Sequence, residues 1–63
     1  MTTYQILAHG DYVSWHRTLD AAITRALRLS YPDEARIYEV PKDGEMPIDS
    51  YPCAWDGAEY GER

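Results

Sequence analysis

Two histidines and a single cysteine are the residues whose side chains could ligate a metal ion or act as a nucleophile: His9, His16 and Cys53. A zinc site needs three or four ligands that converge on the ion at about 2.0–2.3 Å, and its ligands usually show a short, regular spacing that these residues lack. A reactive thiol needs a neighbouring base or a helix N-terminus that stabilises the thiolate, whereas the charges near Cys53 are acidic. We therefore expect neither a metal site nor a catalytic cysteine.

Carboxylates offer a second kind of chemistry, because Asp43, Glu45 and Asp49 follow one another with the spacing D-x-E-x-x-x-D. A calcium loop needs more oxygen ligands and a glycine at its own position. A glycosidase-type carboxylate pair needs a deep cleft, which a 63-residue chain cannot easily build. The sequence also has no glycine-rich phosphate loop and no G-x-S-x-G motif. It predicts a protein that is not an enzyme and that uses no cofactor.

The acidic residues are better candidates for a binding surface. The formal net charge is −5, and it comes entirely from the C-terminal third: residues 1–42 carry five acids and five bases, whereas residues 43–63 carry six acids and one base. Aromatic residues are interleaved with these acids, and an interface of this kind uses charge for steering and rings as anchors. The other interpretation is that the acids only keep the domain in solution. The predicted partner-binding residues are Asp43, Glu45, Asp49, Tyr51, Trp55, Asp56, Glu59 and Glu62.

The sign of this charge also predicts the class of partner. An acidic surface repels nucleic acids and anionic membranes, because both are polyanions. We therefore expect a basic protein surface as the partner, with no direct contact to nucleic acid or to a membrane.

Two strands, Tyr4 to Ala8 and Tyr12 to Arg17, are predicted by alternating apolar and polar residues. Gly10-Asp11 between them suits a two-residue type II′ turn. The resulting register pairs Ile6 with Trp15 and places both on the buried face. The opposite, open face then forms a second candidate binding surface, with Leu7, His9, Tyr12 and His16.

A helix is predicted from Thr18 to Ser30. The Thr18 hydroxyl can accept a hydrogen bond from the first helical turn, and Pro32 disfavours helical geometry at Tyr31. Leu19, Ala22, Ile23, Ala26, Leu27 and Ser30 share one face at helical spacing.

Ala35 to Val40 is predicted as a third strand, with apolar residues on both faces, so that its orientation stays open. Residues 43–63 show no clear period and contain two prolines after Glu45. The predicted fold is α+β: a ββαβ scaffold over residues 1–42, with a three-stranded antiparallel sheet of order 2-1-3 and one helix on one face. An irregular acidic C-terminal arm over residues 43–63, frayed from Asp56 onward, completes a single domain of residues 1–63.

Size, targeting signals and oligomeric state complete the expectations. The N-terminus resembles no signal peptide, and no stretch approaches the about 20 apolar residues of a membrane helix, so we expect a cytoplasmic protein. A chain of this size buries only roughly 60% of its unfolded surface, which makes self-association useful. We expect a monomer or a homodimer. The alternative function is a non-catalytic homodimeric assembly or adaptor module that buries the open sheet face.

The chain as a whole resembles the small acidic anti-CRISPR proteins encoded by phages. The resemblance rests on its size, its net charge of −5, the predicted ββαβ scaffold and the acidic stretch from Asp43 to Glu62. It implies an inhibitor that binds a CRISPR effector complex in the host cytoplasm and blocks its target DNA. Such an inhibitor can act as a DNA mimic, with carboxylates where the phosphates of DNA would lie.

Overall fold

The computed structural model describes residues 1–61, and the side chains of residues 1–59. Four strands form one antiparallel sheet of order β2-β1-β3-β4, accompanied by a helix α1, a short helix α2 and two 3-10 turns at Pro32–Glu34 and Ile48–Ser50. The elements are β1 Thr2–Ala8, β2 Asp11–His16, α1 Leu19–Leu27, β3 Ala35–Pro41, β4 Cys53–Asp56 and α2 Gly57–Gly61. The α+β class and the order of the first three strands are confirmed, whereas the number of strands is not.

The fourth strand lies in the segment predicted as an irregular arm, so that prediction is wrong for residues 53–56. β4 pairs with β3 through Ile37 and Trp55, and the Glu39 amide donates to the Pro52 carbonyl at 2.9 Å just before the strand begins. Four residues that follow a proline are too few to show an alternation in sequence. The segment predicted to fray from Asp56 onward contains the end of β4 and the helix α2, which ends at Gly61, and residues 62–63 lie outside the described part.

The turn between β1 and β2 lies one residue earlier than the sequence suggested. Ala8 pairs with Asp11, so the loop is His9-Gly10, with φ of +55° and +79°. Two positive φ values are the combination found in a type I′ turn, which matches the twist of a hairpin, as types I and II do not. Glycine enters this region without a steric penalty, and histidine is one of the few other residue types enriched there.

A β-bulge at Val13 then decides which side chains of β2 face the helix. The pairing shifts between Ile6 and Leu7, after which Ile6 lies opposite Ser14 and Gln5 opposite Trp15. A one-residue shift of register moves a side chain to the other face of a sheet. Trp15 therefore lies on the face away from α1, not beside Ile6 as predicted, and Val13 takes the place against the core.

Helix α1 begins as predicted, because the Thr18 hydroxyl accepts a hydrogen bond from the Ala21 amide at 3.2 Å. It ends at Leu27 and not at Ser30, since the amides of Arg28 and Leu29 bond to carbonyls three residues back and tighten the last turn. Ala22 and Ala26 are fully buried, so this helix lies close against the sheet. The fully buried core consists of Ile6, Ala22, Ala26, Ala35 and Ile37.

Strand β3 is covered on both faces, which explains its ambiguous pattern. Ile37 belongs to the core under α1, whereas Tyr38 and Val40, which point the other way, are also buried. The turn Ile48–Ser50 contacts β3. The face of the sheet away from α1, called the open face below, is thus covered along β3 and exposed along β2. Neither helix of residues 1–61 has the length and apolar character needed to span a bilayer.

Candidate functional site

Acidic side chains from separate parts of the chain meet in a groove at the hairpin-turn end of the open face. The groove has a volume of about 450 Å³ and is called the acidic groove. Its carboxylates come from the turn before β3, from the 3-10 turn of the arm and from the end of β4. The lining residues are Leu7, His9, Gly10, Asp33, Glu34, Arg36, Tyr38, Asp49, Asp56 and Ala58.

The sheet register explains why these acids converge. Arg36 lies opposite Leu7 on β1 and opposite Asp56 on β4, so the three side chains form a row across the open face. Asp33 and Glu34 immediately precede β3 at the same end of the sheet. The sequence concealed this grouping because Asp33 and Glu34 belong to the charge-neutral part of the chain, 15 or more residues before Asp49.

Two of the four carboxylates have a basic side chain as a partner inside the groove. Asp56 Oδ2 lies 3.6 Å from Arg36 Nε. A side-chain hydrogen bond to Tyr38 and, second, the charge of Asp56 raise the pKa of Arg36 above its ordinary value, so this guanidinium stays cationic at every working pH. Glu34 pairs with His9 Nδ1. Within the described residues, Asp33 and Asp49 have no ion-pair partner, which leaves the groove with excess negative charge.

A second groove lies at the opposite end of the open face and carries the opposite charge. It has a volume of about 320 Å³ and is called the Trp15 groove, with Met1, Thr3, Gln5, Trp15, Arg17 and Lys42 as its lining. The Trp15 side chain is 52% exposed. Gln5 donates to Thr3 Oγ1 at 3.1 Å, and Thr3 donates to the Val40 carbonyl at 3.0 Å, so the polar floor is held in place.

Arg17 and Lys42 make this second groove basic. Both are exposed, and neither has an ion-pair partner among residues 1–61. Sequence reasoning missed the site because the assumed register buried Trp15. The sequence carried no signal for it, because a turn at His9-Gly10 alone would leave Trp15 opposite Tyr4 on the α1 side, and only the bulge at Val13 moves Trp15 to the open face.

The structure distributes the predicted partner-binding residues over several places. Asp49 and Asp56 line the acidic groove, whereas the exposed Asp43 and Glu45 do not. Glu59 is exposed on α2, and Glu62 lies outside the described residues. The arm is therefore not one continuous surface.

Three members of the predicted set have structural roles. Tyr51 packs against Gly44, and its hydroxyl accepts a hydrogen bond from the Met46 amide at 3.1 Å, which closes the loop after β3. Trp55 is half-buried and packs against the core on the α1 side. Asp56 Oδ1 accepts a hydrogen bond from the Ala58 amide at 3.0 Å and so caps α2.

The second predicted surface is only partly assembled. Leu7 and Tyr12 are paired on the open face, and Tyr12 is 54% exposed. His9 sits in the turn, where its ring meets Tyr31 edge-on at 5.9 Å. The placement of His16 on the open face is wrong: the bulge turns it to the α1 side, where Nε2 is 3.0 Å from Ser14 Oγ.

The histidines, Cys53 and the acids form no metal centre in the described part of the chain. Among residues 1–61, no three His, Cys, Asp or Glu side chains are placed to hold an ion. Cys53 is exposed on β4, and its thiol donates to the Trp55 carbonyl at 3.3 Å. Comparisons with protein-family models, with curated proteins and with solved structures gave no match.

Proposed function

We propose that this protein is a non-catalytic, protein-binding inhibitor whose acidic groove docks on a basic, nucleic-acid-binding surface of its partner. The observation that carries the proposal is the convergence of Asp33, Glu34, Asp49 and Asp56 on one groove. Its partner class is that of the anti-CRISPR proteins that the chain resembles, namely a CRISPR effector complex whose DNA channel the inhibitor fills.

The charge arrangement of the groove supports this mode of binding. Asp33 and Asp49 are both exposed and have no ion-pair partner among the described residues, because Arg36 pairs with Asp56 and His9 pairs with Glu34. A lysine- or arginine-lined channel that binds phosphates offers the complementary charge. Leu7 and Tyr38 supply apolar surface at the floor, where a partner side chain would be shielded from water.

The proposed binding surface is the acidic groove and not the C-terminal arm that the sequence predicted. The arm contributes Asp49 and Asp56, whereas Asp33 and Glu34 come from the part of the chain that is neutral in sequence. Asp33 and Asp49 lie on the 3-10 turns Pro32–Glu34 and Ile48–Ser50, which contact α2 and β3, so their carboxylates lose little conformational entropy on binding. We therefore propose that Asp33 and Asp49 make the contact itself and that Asp43 and Glu45, which do not line the groove, lie outside it.

A DNA-displacement assay tests this function. Purified CRISPR effector complexes of several types are bound to fluorescein-labelled target DNA, and the protein is titrated in while anisotropy is followed. We expect displacement from at least one effector, and we expect the Asp33→Asn/Asp49→Asn variant to need about tenfold more protein, which corresponds to about 1.4 kcal/mol. Displacement should also weaken as salt rises.

The matched control is Asp43→Asn/Glu45→Gln, which removes the same charge from exposed acids outside the groove. It should leave the titration within about twofold of the unmodified protein. Equal losses in both variants would mean that total charge and not the groove matters. Displacement from none of the effectors would reject the anti-CRISPR activity.

A further inference from the structure

The open face is polarised along the direction of its strands. β1 contributes Leu7 to the acidic groove and Thr3 to the Trp15 groove. Four residues of a strand span about 13 Å, so the two grooves lie side by side along β1. Asp33 and Asp49 supply the excess charge at one end, and Arg17 and Lys42 supply the opposite charge at the other.

Exposed aromatic side chains lie on the same face. Tyr12 and Trp15 on β2 are 54% and 52% exposed, although they are among the largest side chains of the chain. Tyrosine and tryptophan are enriched at interfaces because their rings bury much area and their polar tips tolerate water. A small domain also gains most from burying such a face in an assembly.

We infer that a second copy of this chain covers the open face. The two faces meet across a two-fold axis that lies between them. This axis runs perpendicular to the strands and passes over β1 near Gln5. A half-turn about such an axis reverses the strand direction, so it sets the acidic groove of each copy over Arg17 and Lys42 of the other. Every charged contact is made twice, and Trp15 of each copy is enclosed between the sheets.

The charges select this axis over the other possibility. A two-fold axis that ran along the strands would place the acidic end of one face over the acidic end of the other, and the basic end over the basic end. Like charges held face to face repel, and this repulsion disfavours the second arrangement. The polarity of the face therefore sets the relative direction of the two copies.

This homodimer is independent of the proposed inhibitor function, because it needs no partner. The two do compete for one surface, since the acidic groove is covered in the dimer. The dimer is thus the resting form, and a basic partner binds the monomer. Failure of either inference leaves the other standing, because the dimer is measured with the protein alone.

Sedimentation equilibrium over a range of concentrations at low ionic strength tests the dimer. The expected mass is about twice 7.3 kDa, falling toward 7.3 kDa as salt is raised. Arg17→Glu/Lys42→Glu makes both ends of the face acidic, and Asp33→Lys/Asp49→Lys makes both ends basic. Each variant alone should dimerise at least about tenfold more weakly, whereas an equimolar mixture should form a one-to-one heterodimer.

Controls separate the interface from total charge and from misfolding. Arg25→Glu/Arg28→Glu changes the charge by the same amount on the α1 side and should leave the mass unchanged. Circular dichroism verifies that each variant is folded, and the milder Arg17→Gln/Lys42→Gln should weaken the dimer to a smaller extent. Trp15→Ala should weaken it as well.

Three outcomes would overturn the inference. The first is an unmodified protein of 7.3 kDa at every concentration up to several hundred micromolar. The second is a mixture of the two charge-reversed variants that forms no heterodimer. The third is a monomer that binds a labelled single-stranded oligonucleotide through Trp15, Arg17 and Lys42, since the face would then belong to a nucleic acid.

Discussion

At the scale of single residues, Gly57 is a position where any side chain would collide with backbone atoms. It is buried at the start of α2, and a side chain there would overlap the Pro32 carbonyl oxygen and lie 2.9 Å from the Ala35 carbonyl oxygen. Both obstacles are backbone atoms at the edge of the acidic groove. The close approach of α2 to the turn Pro32–Glu34 therefore depends on the absence of a Cβ atom at Gly57.

We predict that Gly57→Ala lowers the free energy of unfolding by about 2 kcal/mol or more, because backbone atoms must move to admit the methyl group. Urea unfolding followed by tryptophan fluorescence measures the change. Gly44→Ala is the control, since its main obstacle is the end of the Tyr51 side chain, which can swing aside. A Gly57→Ala protein as stable as the Gly44→Ala protein would show that α2 does not pack this closely.

At the scale of elements, each helix or strand end depends on a particular contact. α1 begins at Leu19 because the Thr18 hydroxyl accepts the Ala21 amide, and α2 begins at Gly57 because Asp56 accepts the Ala58 amide. The hairpin depends on two features together: the left-handed pair His9-Gly10 and the bulge at Val13. These features also set the faces of β2, and with them the position of Trp15.

We predict that Thr18→Ala destabilises the protein by about 1 kcal/mol, because one amide of the first turn of α1 loses its acceptor. Thr18→Ser keeps the hydroxyl and should stay within about 0.5 kcal/mol of the unmodified protein. Thermal unfolding followed by circular dichroism at 222 nm compares the two. Equal losses for alanine and serine would assign the effect to the lost methyl group and not to the cap.

At the scale of the whole molecule, the core is small and most of it is shared between α1 and the centre of the sheet. At roughly 0.05–0.15 kcal/mol per residue, a chain of 63 residues is stable by about 3–9 kcal/mol. Ile6 and Ile37, paired across β1 and β3, are the largest fully buried side chains. One of them thus represents a large part of the total stability.

We predict that Ile37→Ala lowers the free energy of unfolding by about 3 kcal/mol, since it removes buried methylene groups and leaves a cavity, and that Ile37→Val lowers it by about 1 kcal/mol. Equilibrium unfolding in urea gives both values. Leu27→Ala is the control, because that side chain is 42% exposed and should matter much less. A small effect of Ile37→Ala would mean that the core collapses around the cavity.

Local signals determined much of the fold. Several short-range features can be recognised without knowing the tertiary contacts. They are Thr18 as a cap, Gly10 in a turn, the two buried alanines of α1 and the apolar residues on both sides of β3. They predicted two hairpin strands, a helix, a third strand and their order 2-1-3. They also showed that the excess acidic charge begins at Asp43.

Tertiary structure alone decided the sites. β4 forms because the edge of β3 is available to pair with residues 53–56, and a segment of four residues is too short to show a strand pattern in the sequence. The bulge at Val13 has no residue signature, yet it reversed the faces of Trp15 and His16, because side chains alternate along a strand. Strand pairing also brought residues far apart in sequence into one groove. Arg36 lies opposite Leu7 on one side and opposite Asp56 on the other, although the three residues are widely separated along the chain. The sequence by itself thus determined how much charge the protein carries, and the pairing of its strands decided where that charge lies.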